Sequence, residues 1–259
     1  VSEEPRRPWL RWAGPIAAVA LLLIGWEIFA RFAGLDKLLV AGPVDVVRTF
    51  SDEGGLLATN TWVTTREALL GLALACILGV STGLLLHLSP FLRDATMPLI
   101  VGSQAVPTVV LAPLLVIAFG FGIGPKLIIV ALACFFPITV GTFDGLRSAD
   151  PQLLQLLKSL GASRWRMLRL SELPASLPRM LSGMRIAATW AFISAVFAEY
   201  AGSDSGLGYL IARGTPSFET SRVFAAILIL TLASLALYGL LALVERRFVP
   251  WERHTANQR

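Results

Sequence analysis

The stretch "LLQLLKSLGASRWRMLRLSELPASLP", Leu153 to Pro178, decides how the chain is organised, because it carries helix-forming leucines and yet cannot cross a membrane. Each Lys or Arg at a bilayer centre costs about 2.5–3.5 kcal/mol, so Lys158, Arg164, Arg166 and Arg169 together keep this segment outside the hydrocarbon. Leu153, Leu157 and Leu160 recur at i, i+4 and i+7, the spacing of one apolar helix stripe. Gly161 is placed to end that helix in a left-handed conformation, and Arg164 to Arg169 resume a second short one. Leu173-Pro174 is expected to stop the second helix before the next apolar run.

On both sides of this segment the chain is apolar. Of 259 residues, 55% are hydrophobic and only 15% charged, and the mean hydropathy is +0.70. Soluble domains carry about 25% charged residues, so the composition excludes an ordinary soluble enzyme and predicts an all-α polytopic membrane protein. Six apolar segments reach or approach the roughly 20 residues a spanning helix needs: 14–33, 66–88, 95–119, 125–146, 179–200 and 222–245. The first follows a basic flank with no clear small-residue cleavage site and is expected to be a retained span. Between the first two, Gly42-Pro43 breaks the chain, and Val44, Val47 and Phe50 predict a short amphipathic helix on one membrane face.

The net charge is +5 and the pI about 9.8. The basic residues are scattered between spans without aromatic interleaving, so no nucleic-acid surface is expected. With an inside N-terminus, fifteen Lys and Arg fall on inner segments and seven on outer ones. The inner set is Arg6, Arg7, Arg11, Arg93, Arg147, Lys158, Arg164, Arg166, Arg169, Arg179, Arg185, Arg246, Arg247, Arg253 and Arg259; the outer set is Arg31, Lys37, Arg48, Arg66, Lys126, Arg213 and Arg222. Short cytoplasmic loops retain cations, so both termini are expected in the cytoplasm. Cys76 and Cys134 lie in different apolar runs and read as small buried residues rather than a disulfide or metal pair. His87 and His254 are isolated, and no metal site is expected.

The Leu153–Pro178 stretch resembles the cytoplasmic signature loop of ABC importer permeases: E-A-A, three residues, Gly, nine residues, Ile, any residue, Leu-Pro. Gly161, Leu173 and Pro174 stand at the pattern's spacing, while Gln155-Leu156-Leu157 replace E-A-A and Ser171 replaces Ile. "TREALLGLALACILGVSTGLLL", "PTVVLAPLLVIAFGFG" and "CFFPITVGTFDGLRSADPQLL" are similar to the nitrate, sulfonate, taurine and pyrimidine-precursor branch. The resemblance implies a type I ABC importer permease fold in one domain, residues 1–259. Residues 150–174 would form its ATPase-coupling loop, with Gln155, Leu156, Leu157, Gly161, Ala162, Leu173 and Pro174 as its coupling residues. It further implies two ABC ATPase subunits, a second permease copy in a homodimer, an extracytoplasmic solute-binding protein and a bacterial inner-membrane location. ATP and Mg would belong to the partner ATPases, and this chain would hold no cofactor and be no enzyme. From amphipathicity alone, a helix lying in the lipid headgroup layer fits the loop equally.

Several polar groups fall inside the expected spans. Ser103, Gln104, Pro107 and Thr108 combine hydrogen-bonding side chains with a proline that frees backbone carbonyls, and Pro137 and Thr139 repeat the pattern; a plain helix kink and a solute-lining role both fit. Thr142 and Ser194 complete a neutral candidate lining. Glu199 precedes the glycine-rich segment "AGSDSGLG" and reads either as a solvated helix end or as a gate or binding-protein contact. Glu27, beside Arg31, reads as an interfacial i, i+4 pair. No Lys or Arg is expected deep in a span, nor an intramembrane charge relay. The function expected is a permease for a small organic solute, a pyrimidine thiamine precursor first. Sulfonate or taurine, nitrate or bicarbonate are the alternatives, and a stand-alone secondary transporter the rival of another class.

Overall fold

The computed structural model describes residues 10–32 and 40–249, which form helices and short connections and contain no strand. The terminal arginines Arg6, Arg7, Arg253 and Arg259, with Lys37 and His254, lie outside the described residues. In chain order the helices are α1 (Leu10–Phe32), α2 (Pro43–Asp52), α3 (Gly54–Leu88), α4 (Pro90–Ser103), α5 (Thr108–Phe119) and α6 (Ile123–Leu146). After these come α7 (Pro151–Ser159), α8 (Arg164–Met167), a π-turn (Leu168–Glu172), α9 (Leu173–Gly202), α10 (Leu207–Gly214) and α11 (Thr220–Phe248).

Among the described residues four helices are long and apolar enough to cross a membrane, namely α3, α6, the continuous Arg164–Gly202 run and α11, and α4 with α5 makes a fifth if that bent pair is one span. The six expected spans are thus four or five among the described residues; α1, a 23-residue helix with Leu21 and Leu22 exposed, overlaps the expected first span without being one of these.

The centre of the bundle is α6, which packs along α3 and along α9 more extensively than any other two helices pack. Their contact surface is made of small residues: Ala68, Ala75, Ala131, Cys134, Ala187, Ala188, Ala191 and Ala195 form one buried cluster with Val130 and Ile138. Small side chains let backbones approach, the usual basis of helix association where the solvent is itself apolar. The approach is closest where α6 crosses α9: a Cβ on Gly183 would lie 2.4 Å from the Pro137 carbonyl oxygen, and one on Gly141 would lie 2.9 Å from that of Arg179. Cys134 is buried there and donates to the Ala187 carbonyl at 3.2 Å; both cysteines are free.

The peripheral helices are tied on by polar contacts. Arg31 donates to Glu27 at 2.5 Å, the i, i+4 pair the sequence predicted, and Trp26 donates its indole N–H to the Ala41 carbonyl at 3.0 Å. Pro43 opens α2, where the Gly42 N–H donates to the Asp45 carboxylate at 3.3 Å. At the α2–α3 joint, Glu53 accepts two hydrogen bonds from Arg222 of α11, at 2.5 and 2.8 Å. That guanidinium holds the Glu53 carboxyl below its ordinary value of 4.5, so the tie is fully present above that value. It weakens as pH falls through the lowered one, and unfolding midpoints below about pH 4 should drop less in an Arg222→Leu variant than in the parent.

Three sequence expectations are corrected. Segment 95–119 is no single straight span: α4 and α5 meet at 96° across Gln104–Pro107. Pro107 supplies no N–H and disfavours helical geometry in the residue before it, so the helix must restart at Thr108. Second, Leu173-Pro174 does not stop a helix. Pro174 lies in the first turn of α9, and Leu173 N–H bonds back five residues to Leu168, so a π-turn carries the chain past the missing proline donor. Third, oppositely charged pairs do lie within spans, Lys126 with Glu67 and Arg185 with Glu245.

Candidate functional site: a one-sided groove between two polar clusters

A groove of about 1010 Å³ opens between the α4–α5 bend, α6 and the first half of α9. Ser103, Gln104, Pro107, Thr108 and Pro137 all line it. The bend presents Ser103, Gln104 and Pro107 as exposed residues, since a 96° break leaves no neighbouring turn to cover them. Pro137 lacks the N–H that would serve the Ala133 carbonyl one turn earlier, and both residues face the groove. Thr139, Thr142 and Ser194 are instead buried in the bundle, and the two threonines return their hydroxyls to the carbonyls four residues earlier, at 2.8 Å each.

Sequence reasoning missed the groove's aromatic and charged parts. Phe136 and Trp190 line it, Trp190 being half exposed, and Arg179 and Asp144 stand at the end nearer α7. Arg179 donates to the Asp144 backbone carbonyl at 2.9 Å. Trp190 lies seven residues beyond Gly183 on α9, two turns along the same face, which is the signal that could have found it.

At the α7 end, the segment singled out by sequence folds as expected up to α8. Asp150 caps α7 by accepting from Gln152 N–H at 2.8 Å. Gly161 has φ +74°; its N–H bonds to Lys158 and that of Ala162 to Leu157, at 3.0 and 2.9 Å, the paired bonds of a glycine-ended helix. The exposed apolar face is Leu153, Leu156 and Leu160, at 43%, 55% and 73% exposure, whereas Leu157 is half buried. Gln155 is exposed, and Leu173 and Pro174 are exposed at the start of α9. Ser171, which stands where the signature has isoleucine, is buried.

Beside this loop His87, Arg164 and Glu172 meet. Glu172 is 3% exposed; Arg164 Nη1 donates to its Oε1 at 2.5 Å. His87 Nε2 lies 3.0 Å from its Oε2 and 2.8 Å from Arg164 Nη2. Protonated at Nε2 the imidazole donates to the carboxylate, and in the other tautomer it accepts from the guanidinium.

At the opposite, α10 end, Glu199 is neither solvated nor in the groove: it is 1% exposed. Its Oε1 accepts from Thr64 at 2.7 Å and its Oε2 from Gly208 N–H at 2.6 Å. Thr64 in turn accepts from Leu207 N–H at 2.8 Å, and Asn60 from Gly206 N–H at 2.7 Å. Gly206 has φ +108°, and a Cβ there would lie 2.2 Å from the Glu199 carboxyl carbon, so only glycine lets the loop close over this carboxylate. Next to it Lys126 donates to Glu67 Oε1 at 2.7 Å and to Ser203 at 2.8 Å, with Lys126 and Glu67 both buried. A further pair within the spans is Arg185 with Glu245, at 3.0 Å. Both pairs escaped the sequence reading because their members are 59 and 60 residues apart.

An apolar helical bundle with a one-sided, mostly apolar groove bearing a few polar groups, and an amphipathic loop standing off one end, is the build of a membrane permease subunit. The chain belongs to the family of binding-protein-dependent transport system inner membrane components, whose profile matches residues 71–250. It is 35% identical over 239 residues to the formylaminopyrimidine transport permease protein ThiX of Halalkalibacterium halodurans, covering 92% of this chain and 96% of that one. It is also 35% identical over 234 residues to the riboflavin transport system permease protein RibX of Chloroflexus aurantiacus, covering 90% and 87%. Among solved structures, the inward-facing MetNI methionine ABC transporter matches with a TM-score of 0.68 at 14% identity, over 76% of this chain and 98% of that chain, a likeness of fold. The chain is therefore an inner-membrane, multi-pass subunit of an ABC importer and not an enzyme.

Proposed function

We propose that two copies of this chain form a translocation pathway for a small planar heteroaromatic solute, first a pyrimidine precursor of thiamine, with two ATPase subunits on the cytoplasmic side and a binding protein delivering solute from outside. The observation that carries this reading is the groove. It combines an amide and hydroxyls at Gln104, Ser103 and Thr108 with the exposed face of Trp190 and with Phe136, the apolar wall with a few placed polar groups that a ring with hydrogen-bonding edges needs. The names of the two relatives each describe a solute with a nitrogen heterocycle, which favours this class over taurine or another sulfonate, nitrate or bicarbonate. Open on one side, the groove becomes a closed path when a second copy faces it, and alternating access needs such a two-body arrangement.

The solute is tested by mass spectrometry of the ligand retained by the co-purified binding protein: an aminopyrimidine is expected, and a sulfonate would reject the assignment. Orientation has its own test. Ser51, Asp204 and Ser163 are exposed, so cysteines at 51 and 204 should label with an impermeant reagent from outside, and one at 163 should not; the reverse would place the termini outside. Ser203 is a poorer probe, because its hydroxyl is engaged by Lys126.

The α7–α8 loop is the part we assign to the ATPase. Leu153, Leu156 and Leu160 stand exposed, its basic residues hold it at the cytoplasmic surface, and an apolar helix face of this kind suits docking in a groove. Gly161→Trp meets open space around its Cβ, so within this chain the left-handed φ costs only about 1–2 kcal/mol. That variant, and deletion of Leu153–Leu157, should insert normally and lose ATP-driven uptake; uptake at the parent rate would reject the assignment.

A further inference from the structure

We propose that His87, Arg164 and Glu172 are positioning residues that lock the α7–α8 loop to α3, so that a push on the loop moves α3 and α9 together as one strut; this rests on the coupling reading above. The observations are geometric. Glu172 is almost fully buried although Arg164 beside it is half exposed, so the carboxylate is held inside by its partners. Arg164 and Glu172 are eight residues apart, and at about 100° per residue a regular α-helix would leave them roughly 80° out of line. The π-turn over Leu168–Glu172 takes more residues per revolution and turns Glu172 back toward Arg164. Such turns persist where a particular side-chain placement is needed. His87 closes the triangle from the last turn of α3.

Both helices so joined are long and unbroken. The run from Arg164 to Gly202 has 39 residues, and α3 has 35, about 52 Å at 1.5 Å per residue. They are joined again at the far end, where Thr64 of α3 donates to Glu199 of α9 and both hold the α10 loop. Two ties, one at each end, make the pair resist shear. Displacement at α8 then reaches the segment Gly206–Gly208 through one continuous helical run.

The test measures ATP hydrolysed per solute imported in proteoliposomes holding the full complex and its binding protein. Glu172→Gln and Arg164→Gln should each raise that ratio about fivefold or more, measured on complex that accumulates in the membrane and stays assembled in detergent. The reversed pair, Arg164→Glu with Glu172→Arg, should bring the ratio back to within about twofold of the parent, the non-additivity that two directly interacting groups show. A ratio unchanged in Arg164→Gln, or a reversed pair no better than the single variants, would overturn the clamp. Should Glu172→Gln fail to accumulate, His87→Gln takes its place with the same expected rise, and no rise would count against the proposal. A parent complex that imports solute without consuming ATP would instead reject the importer reading on which the clamp rests.

Discussion

Replacing Lys126 by alanine is expected to destabilise the folded bundle by about 3–5 kcal/mol, because it strips the partner from a buried carboxylate. Glu67 is 2% exposed and its Oε2 already lacks a hydrogen-bond partner, so no neighbour stands ready to take over. The effect should reach the α10 loop as well, since Lys126 also holds Ser203, whose hydroxyl donates to the Ser205 carbonyl at 2.6 Å. Removing both charges as Glu67→Leu with Lys126→Met should recover most of the loss, since apolar residues of similar volume commonly match or exceed a buried pair. Unfolding midpoints in mixed micelles measure both. A cost below about 1 kcal/mol for Lys126→Ala would mean that water reaches Glu67 and that the cluster does not hold this end of the bundle.

The second large effect is expected from Gly183→Leu. A Cβ at Gly183 would sit 2.4 Å from a backbone oxygen of α6 and 3.3 Å from Gly141 Cα, and backbone cannot rotate aside as a side chain does. The helices must separate, at a cost of about 1–3 kcal/mol or more. Because Gly141 and Gly183 also line the groove, uptake should fall further than stability alone explains. Gly239→Leu on α11 is the control: nothing lies within 4 Å of its Cβ, and its effect should stay within about 0.5 kcal/mol. Equal losses at the two glycines would show that the α6–α9 crossing is looser than described.

The sequence made legible what depends on local composition and spacing. Lys158, Arg164, Arg166 and Arg169 excluded a span; Gly161 had to end a helix; Gly42-Pro43 had to begin one; Pro107 had to interrupt one. The groove's polar wall at Ser103, Gln104 and Thr108 was found for the same reason, because an amide beside a helix-breaking proline is visible in a window of five residues. Pairings across the bundle were not legible. Glu199 reads from sequence as a solvated helix end or as a gate or binding-protein contact; its burial, which excludes the solvated end, depends on Thr64, 135 residues away. Thr139, Thr142 and Ser194 read as lining on residue type alone, but all three are buried and none lines the groove. Leu173-Pro174 was read as a stop because a one-residue rule for proline contains no π-turn, which costs little when the proline falls in a first turn.

The central claim is that the groove carries a small heteroaromatic solute only when a partner ATPase drives it. Uptake into proteoliposomes holding the full complex and its binding protein tests it most directly, with labelled aminopyrimidine and labelled taurine offered separately, each with and without internal ATP. The account predicts accumulation of the aminopyrimidine with ATP and none without it. Uptake of either solute in the absence of ATP would contradict it.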